Sequence, residues 1–324
     1  MKKSTKKALL ASGVAAIGIC ALATVYHATA RYLVKLALDR KPPKAVERQK
    51  QKLMGSEEVS RLLESVTEAA DKLQNAGCEE VTVTAHDGIK LVGHWFGGQD
   101  PKRVIVAMHG WRSGWSQDFG AISDFWHQNG CAVLYAEQRG QGGSEGEYMG
   151  FGMLERYDCF EWIKWVNERT GGNLPIYLGG ISMGATTVLM TAGFKLPENV
   201  KGIIADCGFT SPKDIFKHVV ENNFHIPYGL YSTVADDLCK KRLQVKASDY
   251  SCADALKNST VPVLFIHGTD DRFVPISMTF ENYKACAAPK RLLTVVGAEH
   301  GMSYLIDKEA YEAAVKDFWQ TYDG

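Results

Sequence analysis

No sign of charge dominates this chain: Lys and Arg number 37 and Asp and Glu number 37 over 324 residues. A field that sums to zero offers nothing to a nucleic acid or a polyanion, and that class of partner is set aside. The 8 cysteines include no C-x-x-C pair, and the 9 histidines show neither H-x-x-x-H nor H-E-x-x-H spacing. A disulfide framework and a zinc site both lack their signatures, so no metal is expected and the thiols read as core residues. Neither G-x-x-x-x-G-K-[ST] nor a strand-linked G-x-G-x-x-G occurs, so no nucleotide cofactor is expected either. Repeats and low-complexity segments are absent, and an apolar share of 45% is ordinary for a folded domain.

What is present begins with an unusual N-terminus. The basic segment 1–7 carries Lys2, Lys3, Lys6 and Lys7, and the apolar run 8–26 that follows is long enough to span a bilayer. The expectation is a single-pass cell-membrane anchor with the catalytic domain outside the cytoplasm. The Ala28-Thr29-Ala30 triplet resembles a cleavage site, which keeps secretion after signal removal as the alternative. Residues 27–55, with Pro42 and Pro43, read as a linker. Residues 56–80 read as an amphipathic helix, from Val59, Leu62, Leu63, Val66, Ala70 and Leu73 behind the candidate cap Ser56.

The main domain is expected over 81–324. It opens with an alternating stretch, Val81 to Phe96, turning at Asp87-Gly88 as a hairpin does. Six short apolar runs follow, starting at Val104, Cys131, Pro175, Val200, Val261 and Arg291, separated by helical stretches. Continuous apolar runs suit strands buried on both faces, and their alternation with helices predicts an α/β fold: a mostly parallel sheet with helices on both faces. The interval 211–260 is too long for a simple connection and reads as a short inserted lid, with Phe216, Phe224, Tyr228 and Tyr231 as a candidate apolar wall.

The segment Leu178 to Thr186, LGGISMGAT, places Ser182 between Gly180 and Gly184 where a strand gives way to a helix. A serine held on such a turn is strained, and side chains at the flanking positions would collide between strand and helix. A serine hydroxyl also needs a base, and an imidazole needs a carboxylate to fix its tautomer. Later strands end at Asp270-Asp271 and at His300, and an earlier one at Asp206. On position alone all three aspartates are candidate acids for His300.

These motifs, taken in order, resemble the α/β-hydrolase superfamily, and within it the exported or membrane-anchored bacterial branch similar to serine-aminopeptidase-like hydrolases. In the H-G-x-x-D-x-x-V-P register of His267 to Pro275 the resemblance implies Asp271 as the acid, and G-x-x-H ending at His300 implies the base. The MHGW stretch implies an oxyanion hole made by the backbone amides of Trp111 and Met183. The turn from Glu137 to Gly146 departs from the family's D-x-R-G-x-G-x-S, with Glu137 for Asp and Gln141 for the usual His. The expected activity is hydrolysis of small-molecule carboxylic esters through Ser182, Asp271 and His300. Peptidase or amidase action and thioester cleavage on the same residues are alternatives, and a membrane-anchored binding protein retaining the fold is the non-enzymatic one. No obligate protein partner is evident, and the N-terminal segment is expected to meet the membrane.

Overall fold

The computed structural model describes residues 24–41, 57–223 and 225–323. Most of the apolar run 8–26 and the second half of the linker 27–55, from Pro42 on, therefore lie outside the described residues, as do Cys20 and Phe224. Among the described residues no helix is long and apolar enough to cross a membrane.

The apolar runs form strands, as expected. In chain order they are β1 (Glu79–Thr84), β2 (Lys90–Phe96), β3 (Arg103–Met108), β4 (Cys131–Ala136), β5 (Ile176–Ile181), β6 (Val200–Asp206), β7 (Val263–Gly268) and β8 (Lys290–Val295). They make one sheet in the order β1-β2-β4-β3-β5-β6-β7-β8. β1 and β2 form the antiparallel hairpin read from Asp87-Gly88, β2 joins β4 antiparallel, and every later pairing is parallel. β3 and β4 are buried along their whole length because helices cover both faces.

Alternate residues of each strand feed different layers, as a period of two requires. Val104, Val106 and Met108 join Leu134, Trp162 and Val188 on one face, whereas Ile105 and Ala107 join Tyr135, Phe119 and Phe318 on the other. A third cluster lies above the sheet end, where Phe151, Phe209, Ile215 and Tyr228 meet Val34 and Leu38.

Val34 and Leu38 belong to a helix over residues 24–38, which takes in the end of the apolar run and the first part of the linker interval. The linker interval begins as a helix docked on the main domain. The helix does stop before Pro42, and Asp39 then bridges to Tyr148 in an isolated antiparallel contact. In the lid interval lie the helices Pro212–Asn223 and Ser232–Leu243, a 3-10 turn at Tyr228–Leu230, and the short helix Cys252–Leu256.

The chain crosses from β3 to β4 on one side and returns to β5 on the other. Loops leaving the carboxyl ends of β3 and β5 thus diverge around a crevice, which is where open α/β sheets bind ligands.

Candidate active site

Ser182 stands at the end of β5, immediately before the helix Met183–Thr191, with φ 56° and ψ −117°. Positive φ costs a non-glycine residue energy and persists only where the surroundings hold it. The surroundings here are the Ser182 N–H donated to Asp206 O at 2.9 Å and the two flanking glycines. A Cβ on Gly180 would lie 2.3 Å from Gly184 O, and one on Gly184 would lie 1.8 Å from Met108 O. Neither position tolerates a side chain.

His300 and Asp271 reach the same point from β8 and β7. His300 Nε2 lies 2.8 Å from Ser182 Oγ, and His300 Nδ1 lies 2.7 Å from Asp271 Oδ2. A carboxylate can only accept, so Nδ1 carries the proton and Nε2 is left to accept from the serine hydroxyl. Asp271 Oδ1 accepts from the backbone N–H groups of Phe273 at 2.9 Å and Val274 at 2.8 Å. Burial opposes the charge on Asp271, but hydrogen bonding from His267 and His300, with the Val274 amide, holds its carboxyl well below the usual carboxylate range.

The other two candidate acids are occupied elsewhere. Asp270 accepts from the Thr269 hydroxyl at 2.8 Å, and Asp206 accepts from Ser303 Oγ at 2.9 Å. Burial pushes the Asp206 carboxyl up to about 6. Cys207, Asp271 and His300 have potential ligand atoms within 4.8 Å of one another, but the two latter are already bonded to each other and burial keeps the Cys207 thiol protonated.

Met183 opens its helix, so its N–H has no intrahelical acceptor. Trp111 follows β3 and is fixed on several sides. Its indole Nε1 donates to Ala37 O at 2.9 Å, and the preceding Gly110 N–H donates to Asp118 Oδ2 at 2.6 Å. The next residue, Arg112, donates its N–H to Gln141 Oε1 at 2.6 Å. Gln141, a departure from the family turn, therefore ties that turn to the loop bearing Trp111. Glu137, the other departure, accepts from His94 Nε2 at 2.8 Å and from the Gly143 N–H. His109 is buried and donates from Nδ1 to Gly110 O at 2.8 Å, shaping the loop beneath the site.

Two open spaces meet at Ser182. One, the more polar of the two, is about 1120 Å³ counting its mouth and includes His300, Asp118 and Ser113 in its lining. The other is apolar, about 830 Å³ counting its mouth, and includes Phe216, Phe209 and Tyr231. Both share Trp111 and Phe273. Sequence patterns did not point to Asp118 or Phe273, and His267 entered only as the first residue of the register that places Asp271, not as a partner of its carboxylate. Asp118 does follow a recognisable signal, an acid in the first turn of a helix.

Comparison with known proteins agrees with this architecture. A family model described as serine aminopeptidase, S33, matches residues 99–225. An esterase of Pyrococcus furiosus superposes with a TM-score of 0.60 at 21% identity, covering 78% of this chain and 96% of its own. The chain has the fold of these hydrolases, and over residues 99–225 it is similar to the serine aminopeptidase family. An Exiguobacterium antarcticum esterase shares the hydrolase fold at a TM-score of 0.55 and 18% identity, over 75% of this chain and all of its own. Among curated proteins, the uncharacterized YqkD of Bacillus subtilis is 30% identical over 58% of this chain, a stretch that spans 62% of YqkD. The uncharacterized YfhR of Escherichia coli K12 is 26% identical over 68% of this chain and 73% of its own.

Proposed function

We propose that this hydrolase cleaves carboxylic esters with Ser182 as nucleophile. The observation that carries the reading is the unbroken hydrogen-bonded series from Ser182 Oγ through His300 to Asp271. His300 takes the serine proton as Oγ attacks the ester carbonyl, and the tetrahedral oxyanion forms against the amides of Met183 and Trp111. Each such donor contributes about 2.7 to 4 kcal/mol in comparable sites. Collapse expels the alcohol, which takes its proton from His300, and leaves Ser182 acylated. A water deprotonated by His300 then releases the acid.

The aminopeptidase description of the matched family favours a second reading, cleavage of peptide amides. An aminopeptidase needs a free carboxylate to hold the substrate ammonium. Asp118, an acid in the lining of the cleft, is already committed to Gly110 N and to Ser113 Oγ at 2.5 Å, which ranks ester cleavage first. Turnover of p-nitrophenyl butyrate against alanine p-nitroanilide separates the two: ester turnover at least a hundredfold faster supports the first reading, and the reverse order supports the second.

The lysine-led apolar run supports a membrane location for the full chain, with the catalytic domain outside. Fractionation tests it; full-length protein recovered with membranes supports the anchor, and a shortened soluble species supports signal cleavage.

A further inference from the structure

We propose that the helix over residues 24–38, which precedes the catalytic domain, is part of the active site: it closes an apolar pocket for an aliphatic acyl chain and positions the Trp111 loop. This inference rests on the serine esterase reading and names the substrate class for it.

The two spaces at Ser182 are assigned by the proton. The leaving alcohol must receive its proton from His300 Nε2, so it departs on the side where His300 stands. His300 borders the polar cleft and not the apolar pocket. The acyl group, on the opposite side of the carbonyl carbon, therefore enters the apolar pocket.

That pocket has two walls of different origin. Phe216 and Val220 come from the helix Pro212–Asn223 in the lid interval, while Ala30, Val34 and Ala37 come from the helix over 24–38. No charged side chain lines it among the described residues. Its polar atoms are the hydroxyls of Ser182, Tyr228 and Tyr231 and the Trp111 indole N–H, which is already given to Ala37 O. A charged or strongly hydrated acyl group would lose its water there without compensation, whereas each methylene of an alkyl chain gains by entering.

The helix is held by more than apolar packing. The Arg112 guanidinium donates to Leu36 O at 3.1 Å, Asp39 O at 2.6 Å and Arg40 O at 3.1 Å, satisfying carbonyls at the helix end. Arg40 in turn donates to Ser144 O and Gly142 O, both at 2.6 Å. Tyr26 stacks on Tyr231 at a ring separation of 4.8 Å and donates its hydroxyl to Leu230 O. The backbone joins as well, Met149 N to Leu38 O at 2.8 Å and Arg40 N to Glu147 O at 2.9 Å. The helix is thus tied both to the loop of an oxyanion donor and to the lid interval.

The test is kcat/KM of the full-length chain on p-nitrophenyl acetate, butyrate, octanoate and dodecanoate, with Val34→Trp to fill the pocket and Phe216→Ala to widen it. The wild type should prefer butyrate or octanoate to acetate. Val34→Trp should lower the octanoate-to-acetate ratio at least tenfold, and Phe216→Ala, which keeps the test open if Val34→Trp does not fold, should move the optimum toward dodecanoate. Ratios that move in neither variant overturn the proposal while leaving the esterase reading in place. A folded wild type that cleaves none of the esters and resists a fluorophosphonate overturns both.

Discussion

Ser182 at φ 56° is the residue on which the local chemistry converges. Its neighbours Gly180 and Gly184 were legible in the sequence because the steric demand is local: a strand must hand over to a helix within a few residues. His300 was legible by its place after the last strand. The acid was less so, because Asp206, Asp270 and Asp271 all end strands or follow them, and only a hydrogen bond separates them. Asp271→Asn should keep the fold and lower kcat by about four orders of magnitude, since an amide in place of the carboxylate favours the wrong imidazole tautomer. Steady-state turnover of p-nitrophenyl butyrate checks this; an unchanged kcat would move the orienting role to another group. Asp206 has a different prediction. Burial raises its folded pKa to about 6 against about 4 unfolded, so the neutral form supports the fold below pH 4 and that support is lost as pH rises through 6. Asp206→Asn keeps an acceptor for Ser303 and should gain stability over the wild type, on the order of 3 kcal/mol above pH 6 and vanishing below pH 4. Urea unfolding at pH 4 and pH 7.5 measures the difference; an equal gap at both would contradict the assignment.

Among the elements, strands were read within a residue or two because their apolar runs are continuous and buried on both faces. β8 is the informative exception. It is an edge strand with a mixed burial pattern, yet its paired register with β7 places His300. The helix over 24–38 was not legible as part of the site. Its residues were divided between the end of the apolar run and a linker, and composition alone does not say that Val34 and Leu38 face Phe209 and Ile215. The helix ends at residue 38, ahead of Pro42, which lies outside the described residues. Arg112 carries the cost of that docking. Arg112→Ala leaves the carbonyls of Leu36, Asp39 and Arg40 without their donor and should destabilise by about 1 to 3 kcal/mol. Denaturant unfolding tests this, and limited proteolysis should show earlier cleavage between residues 30 and 56.

At the scale of the whole molecule, the sheet order gives the proposed hydrolysis its location. β3, β5, β6, β7 and β8 run parallel, so their carboxyl ends deliver Trp111, Ser182, Asp271 and His300 to one rim. The turn carrying Glu137 and Gln141 lies under that rim and is pinned by Arg139, which holds buried Asp158 at 2.5 Å and Asp87 at 2.8 Å. Substituting Glu137 and Gln141 for the family's usual residues leaves this anchorage intact, because both side chains still find partners. The free thiols fit the same picture. The seven described cysteines are unpaired, six of them buried, and burial pushes Cys131 up to about 11, so they pack rather than react.

The central claim is that Ser182 is an activated nucleophile. The most direct measurement is labelling of the full-length chain with a fluorophosphonate, followed by mass-spectrometric mapping of the modified residue, beside Ser182→Ala. The account predicts one adduct per chain on Ser182, with labelling and p-nitrophenyl butyrate turnover both lost in Ser182→Ala by a factor on the order of a million. A folded wild type that takes up no label, or a label that persists in Ser182→Ala, would contradict it.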